Sequence, residues 1–129
     1  MARILIVDDQ PHVIRVLSLC LMRDGHQVEA AHNGSDALVR IRAAQPDVLL
    51  TDITMPVMTG RELCEAIAAE LPQRRFPILV MTSLTDRDER DWVRKLAGIE
   101  FLEKPVSPRA ISERIRALTR GRDEAGAPS

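Results

Sequence analysis

Val48-Leu49-Leu50-Thr51-Asp52-Ile53-Thr54-Met55-Pro56 reads as an apolar strand that ends on a carboxylate and breaks at Met55-Pro56. A run this continuous in apolar residues is expected of a parallel strand covered on both faces. A charged residue at the end of a buried strand is costly unless something pairs with it. What surrounds Asp52 therefore decides both the fold and the chemistry.

Working outward, residues 3–8 form an apolar strand ending in Asp8-Asp9, and residues 27–31 a short second one. Between them Val13, Leu17, Cys20 and Leu21 share one helical face, with Pro11 suited to the first turn and Gly25 to the stop. Asn33-Gly34 reads as a turn and Ser35 as the N-cap of a helix carrying Leu38 and Ile41, which ends before Pro46. Beyond Pro56, Thr59 and Glu62 form a capping box that opens a helix through Leu63, Ile67 and Leu71. Residues 77–82 are a fourth strand, again ending on a polar residue, Thr82.

Thr85 is suited to cap a helix over about 86–97, where Asp86 with Arg90 and Asp91 with Lys95 place acid before base at i,i+4. Residues 99–102 form a fifth strand, followed by Lys104-Pro105, and Ser107-Pro108 opens a last helix with Ile111, Ile115 and Leu118 on one face. From Gly121 to Ser129 the chain is polar and small, and is expected to be a disordered tail after a single domain over 1–120. Strands alternating with helices at this spacing imply right-handed βαβ units and a parallel sheet with helices on both faces. Such sheets carry their functional crevice at the carboxyl ends of the strands.

Composition narrows the function classes. The chain has 129 residues, a net charge of −1 and 29% charged residues. That balance offers no field for nucleic acid and no polybasic membrane anchor. No apolar run is long enough to span a bilayer, and the N-terminal run is a strand rather than a signal peptide. Cys20 and Cys64 lack CxxC spacing and read as reduced packing residues of a cytoplasmic protein. His12, His26 and His32 share no ligand spacing and read as surface or turn residues. Trp92 suits either a partner contact or the edge of the core, and the arginines of the last helix read as a solvated face or, second, as a docking surface for an acidic partner.

The strand-end residues are Asp8, Asp9, Asp52, Thr82 and, just past the fifth strand, Lys104. Singly, each has an ordinary explanation: a turn, a backbone hydrogen bond, a solvated lysine. Together they bring three carboxylates, a hydroxyl and an ammonium to one edge. Clustered carboxylates raise one another's pKa unless a cation sits among them. Oxygen ligands favour a hard cation such as Mg²⁺, or Mn²⁺, and Lys104 supplies a point charge for a phosphoryl oxygen. Asp52 is then a candidate carboxylate nucleophile in phosphoryl transfer, chemistry that needs mostly positioning and charge neutralisation.

With these residues in place, the sequence resembles the receiver domain of two-component response regulators over about residues 3–120. The matching pieces are Ile6-Val7-Asp8-Asp9, Asp52-Ile53-Thr54-Met55-Pro56 with Gly60, Met81-Thr82-Ser83, and Phe101-Leu102-Glu103-Lys104-Pro105. The resemblance implies a doubly wound, flavodoxin-like (βα)5 fold with strand order 2-1-3-4-5. It implies that Asp52 accepts a phosphoryl group from a histidine kinase or a histidine phosphotransfer protein. Asp9 would ligate the metal directly, Asp8 partly through water, Asp52 and the Thr54 carbonyl completing the protein ligands. Lys104 would pair with the phosphoryl group, through a cis peptide to Pro105. Thr82 would move toward that group and Phe101 swing inward behind it, switching contacts with a downstream protein through the 84–120 surface. The molecule would be a monomer or a weak phosphorylation-dependent dimer, with no direct nucleic-acid or membrane partner.

Some positions depart from the commonest pattern. Ser83 stands where Ala is usual, and with Thr54 and Leu84 it would tune phosphoryl lifetime. Leu84 cannot hold an attacking water, so self-dephosphorylation is expected to be slow. The Gly98–Phe101 segment reads one residue short before Lys104, and Phe101 lacks the hydroxyl of a switch tyrosine, so its rotation rests on packing.

The expected function is thus a signalling switch that catalyses only its own phosphorylation and dephosphorylation. It would stand alone, or be a receiver excised from a longer regulator or hybrid kinase. A phosphohydrolase with an aspartyl-phosphate intermediate is the competing class. Its signature needs two Asp separated by one residue after the first strand, whereas Asp8 and Asp9 are adjacent. A pseudo-receiver without phosphate chemistry is disfavoured because all five groups are present.

Overall fold

The computed structural model describes residues 2–53, 57–82, 98–104 and 106–126, with 120–126 as backbone only. The strands are β1 (Arg3–Val7), β2 (Gln27–Ala31), β3 (Val48–Asp52), β4 (Ile78–Thr82) and β5 (Ile99–Glu103). The helices among the described residues are α1 (Pro11–Arg23), α2 (Gly34–Ala43), α3 (Gly60–Glu70) and α4 (Pro108–Gly126). The helix expected over 86–97, with its acid–base pairs and Trp92, lies outside the described residues.

Every strand pair is parallel, in the order β2-β1-β3-β4-β5. This is the doubly wound, flavodoxin-like arrangement. The chain passes from β1 out to β2 and returns across β1 to β3, so the topological switch point falls between β1 and β3.

Alternation along the strands divides the core in two. Leu5, Val7, Leu49, Ile78 and Val80 pack against Ala37, Leu38 and Ile41 of α2 and Leu63, Cys64 and Ile67 of α3. On the opposite face Ile4, Ile6, Val48, Leu50, Leu79 and Met81 pack against Ile14, Leu17 and Leu21 of α1 and Ile111 and Ile115 of α4. Full burial of each large side chain contributes about 1.5–3 kcal/mol. A slip of one residue in any strand would exchange the two sets of side chains, so packing on both faces holds the register.

Helix ends follow local chemistry. Pro11 opens α1, and Gly25 with φ of 91° lets the chain turn after its C-cap, Asp24. Thr59 and Glu62 form the reciprocal capping box of α3. Ser107 Oγ accepts from the Ala110 N–H at 2.9 Å, capping α4 ahead of Pro108. Two expectations need correction. Asn33, not Ser35, caps α2: its backbone is extended and its side chain accepts from the Asp36 N–H at 2.8 Å. Ser35 lies inside the first turn. The second correction concerns the tail, because α4 continues to Gly126 although composition points to disorder from Gly121. A single glycine costs a helix only about 1 kcal/mol, and Arg122, Glu124 and Ala125 are good helix formers.

Cys20 and Cys64 are free thiols on helices that cover opposite faces of the sheet. Burial pushes the Cys64 thiol up to about 12, which makes it unreactive at neutral pH. His12 and His32 are exposed, and His26 Nδ1 accepts from the Ala2 N–H at 3.1 Å in the turn before β2. Among the described residues no helix is long and apolar enough to cross a membrane.

Candidate functional site

The carboxyl ends of β1, β3, β4 and β5 converge on one edge. Val7 of β1 is level with Thr51 of β3, and Asp52 is level with Met81 of β4. Asp8 and Asp52 therefore stand side by side at the switch point, both buried, at 2% and 4% exposure, with Asp9 exposed beside them. One carboxylate oxygen from each of Asp8, Asp9 and Asp52 lies within 4.8 Å of the other two.

Lys104 reaches this cluster from β5. Its N–H donates to the Thr82 carbonyl at 2.7 Å, extending the β4–β5 ladder one residue past Glu103. The segment that reads as short leaves no gap in this ladder: Ile99 to Glu103 pair in unbroken register with Ile78 to Thr82. Lys104 Nζ then lies 2.7 Å from Asp52 Oδ1. The same oxygen accepts from the Ile53 N–H at 3.0 Å.

Asp8 shows the electrostatic cost of the cluster. Burial pushes its carboxyl pKa up, and the Gln10 N–H, which donates to Asp8 Oδ1 at 2.9 Å, opposes this only in part. The Asp52 charge raises it further, Lys104 lowers it, and Asp9 raises it again. Neighbouring carboxylates that disfavour one another's charge are what a divalent cation relieves. The donor set is all oxygen, which fits a hard cation of the Mg²⁺ or Mn²⁺ kind.

Thr82 is fully buried at the end of β4, next to Met81, the partner of Asp52. Phe101 is half-buried, pairs with Val80 and packs against the core on the α2 and α3 side. Thr54, Ser83, Leu84 and the peptide from Lys104 to Pro105 lie outside the described residues. Beside the cluster a groove of about 580 Å³ runs between the start of α1 and the start of α4. Asp8, Lys104 and His12 lie at it, and Val13, Leu17, Met81, Val106 and Ile111 make it apolar.

Three local geometries carry no mark in the sequence, although Gly60 itself belongs to a matching motif. The Thr51 hydroxyl, fully buried, donates to the Asp52 carbonyl at 2.9 Å. Gly60 packs so closely that a Cβ there would sit 2.2 Å from the Asp52 carbonyl oxygen. Val57 holds a φ of 70° while 82% exposed. A threonine ahead of the strand-end Asp and a glycine at the first position of a helix are weak signals until the backbone shows what they touch.

Residues 4–116 match the family described as the response regulator receiver domain. The chain is similar to protein PilH of Pseudomonas aeruginosa, with 33% identity over 121 residues, covering 94% of this chain and 100% of PilH. It is also similar to PhoP of Bacillus subtilis, an alkaline phosphatase synthesis transcriptional regulatory protein, with 32% identity over 98% of this chain. There it spans about half of the relative, 52%. Among solved structures, the chemotaxis response regulator CheY4 of Vibrio cholerae superposes with a TM-score of 0.82 at 30% identity, over 92% of this chain and 98% of that one. In this family the aspartate cluster is placed for Mg²⁺-dependent phosphorylation, and the domain acts as a switch rather than a general enzyme. Membership implies a cognate histidine kinase or phosphotransfer partner. On its sequence, its fold and the cluster of Asp8, Asp9 and Asp52, this chain belongs to the response regulator receiver domain family.

Proposed function

We propose that the domain over residues 1–120 is a phospho-accepting switch of the cytoplasm, with Asp52 as its phosphoacceptor. The observation that carries this reading is the sharing of one buried carboxylate between two partners. Asp52 Oδ1 meets the Lys104 ammonium at 2.7 Å, and the Asp52 carboxylate clusters with those of Asp8 and Asp9. A carboxylate oxygen of Asp52 forms a bond to phosphorus as the P–N bond of a phosphohistidine breaks. The leaving electron pair goes to the imidazole nitrogen, which takes up a proton. Lys104 shifts from the carboxylate to a phosphoryl oxygen, and Thr82 donates to another. Mg²⁺, or Mn²⁺, held by Asp8, Asp9, Asp52 and the Thr54 carbonyl, supplies charge neutralisation when bound.

Drawing Thr82 toward the phosphoryl group frees space behind it for Phe101, which alters the 84–120 surface presented to a downstream protein. Ser83 and Leu84 beside the pocket set how long the phosphoryl group persists, with Leu84 making loss slow. The Lys104–Pro105 peptide is cis in this reading, aiming Lys104 inward. The phosphodonor is a histidine kinase or histidine phosphotransfer protein. The switch works as a monomer or a weak phosphorylation-dependent dimer, without binding nucleic acid or membrane itself.

Acetyl phosphate with Mg²⁺, read by intact mass, tests the reading. Wild type gains one phosphoryl group and Asp52→Ala gains none; a wild type that gains nothing removes the proposal. Sustained turnover of a phosphomonoester would point instead to a phosphohydrolase. The chain matches all of PilH and about half of PhoP, so a stand-alone receiver and a module of a longer regulator are both open arrangements. The mass of the native gene product separates these two arrangements.

A further inference from the structure

We infer that Thr51 is a positioning residue for phosphoryl transfer: its buried hydroxyl holds the Asp52–Ile53 peptide in the orientation that aims the Asp52 carboxylate. The inference rests on the reading of Asp52 as phosphoacceptor and adds a residue that this reading does not use.

The geometry is closed on each side. Thr51 lies in the all-buried strand β3 with 0% exposure, and Oγ1 donates to the Asp52 carbonyl oxygen at 2.9 Å. On the α3 side, Gly60 crowds the same oxygen so tightly that one added methyl would stand 2.2 Å from it. The Gly60 N–H donates to the Ile53 carbonyl at 2.8 Å, which holds the next peptide as well. The 52–53 peptide is thus gripped at its oxygen by a hydroxyl and walled in by a helix start.

What that peptide does at its other end gives the grip its consequence. The Ile53 N–H is shared between the Met81 carbonyl at 3.1 Å and Asp52 Oδ1 at 3.0 Å. A peptide group is planar, so carbonyl and N–H turn together. Rotation of the 52–53 peptide would therefore swing the N–H away from Oδ1, leaving Lys104 as the other described contact of that oxygen. Holding Oδ1 fixes the carboxylate plane, and with it the lone pairs that Asp52 can direct at phosphorus. In-line attack is sensitive to this direction. A fully buried hydroxyl in a strand otherwise lined by Val48, Leu49 and Leu50 must find an acceptor, and the acceptor it finds is the backbone of the reacting residue.

The test uses the full chain with acetyl phosphate and saturating Mg²⁺, comparing wild type with Thr51→Val, Thr51→Ser and Thr51→Ala. Thr51→Val keeps the shape and loses the hydroxyl. The maximum phosphorylation rate falls roughly three- to ten-fold, the half-saturating acetyl phosphate concentration stays put, and the Ile53 amide exchanges with solvent faster. Thr51→Ser restores the rate. If Thr51→Val does not fold, the Ser and Ala variants carry the same comparison, since they differ only by the hydroxyl. Equal rates with and without the hydroxyl overturn the inference while leaving Asp52 as phosphoacceptor. A wild type that takes no phosphoryl group removes both.

Discussion

Lys104 Nζ stands 2.7 Å from Asp52 Oδ1, so an ammonium that is 41% exposed is paired with a carboxylate that is 6% exposed at its side chain. The pair is asymmetric in cost. Water solvates Lys104 well enough when the contact breaks, whereas Asp52 has given up its hydration and faces two further carboxylates. Lys104 is therefore a counter-ion of the buried Asp52 carboxylate.

Lys104→Met is expected to lower stability by about 1–2 kcal/mol, the value for a buried pair discounted for the exposed partner. It also slows phosphorylation by acetyl phosphate at least about ten-fold, because a preorganised charge is lost. Lys104→Arg recovers stability better than rate, since a planar guanidinium cannot replace a compact ammonium inside the cluster. Urea denaturation and intact-mass kinetics measure the two effects separately. Equal recovery of both by Arg would contradict the placement of Lys104 at the transferring group.

Asp9 is the exposed member of the aspartate cluster, and its charge helps push Asp8 upward. Asp9→Asn is expected to weaken Mg²⁺ binding by more than about ten-fold by calorimetry. In EDTA the melting temperature of the variant should equal or exceed that of wild type, because a repulsion has been removed. A variant that melts lower without metal and binds Mg²⁺ normally would show Asp9 to be structural.

The aspartate cluster and the reach of Lys104 are legible in the order of residues along the chain. Continuous apolar strands ending on Asp, Thr or just short of Lys converge at one edge of a parallel sheet, because parallel strands all run the same way and their carboxyl ends share one side. Helix ends are less legible: Asn33 and Ser35 are both good caps, and only the backbone angles decide between them. The extension of α4 past Gly121 is hidden because a polar helix end has no apolar period to reveal it. Thr51, and the contact that Gly60 makes, escape for a different reason. Their roles are contacts with the backbone of Asp52, and backbone contacts leave no pattern in side-chain chemistry.

Gly60 bears the clearest steric demand. A Cβ at this position would meet the Asp52 carbonyl oxygen at 2.2 Å and Ile53 Cα at 2.8 Å, both backbone atoms that no rotamer change can move. Gly60→Ala is expected to cost about 2–3 kcal/mol, at the upper end for overpacking. Chemical denaturation measures it; a loss under about 0.5 kcal/mol, the level of an ordinary surface change, would mean that α3 shifts freely away from β3.

Val57 is the converse case. A β-branched residue at φ of 70° is strained, and at 82% exposure it recovers nothing by burial. Val57→Gly removes a left-handed backbone penalty of about 1–2 kcal/mol and adds about 0.5–1 kcal/mol of chain entropy to lose on folding. The net expectation is a gain of about 0.5–1 kcal/mol by urea denaturation. A clear loss of stability would show that the Val57 side chain makes a favourable contact outweighing its strain.

The raised carboxyl of Asp8 gives the metal-free protein a distinctive pH response. Its pKa rises above the ordinary 3.8 chiefly through burial, with the Asp52 charge adding to it. Between the ordinary value and the raised one, the folded protein holds a proton that the unfolded chain has released. Stability must then fall as pH rises through that window, the opposite of a salt-bridged aspartate. Asp8→Asn removes this titration together with the coupling of Asp8 to Asp52, Lys104 and Asp9. In EDTA the variant is expected to gain on wild type steadily as pH climbs above 3.8, then level off once Asp8 is ionised in the folded state too. With saturating Mg²⁺ the order reverses near neutral pH, because wild type then has a cation bound between its carboxylates and the variant holds it more weakly. Unfolding free energies measured across pH with EDTA and with Mg²⁺ check both halves. A wild type that gains on Asp8→Asn with rising pH in EDTA would mean that Asp8 is held as a stabilised carboxylate and needs no metal.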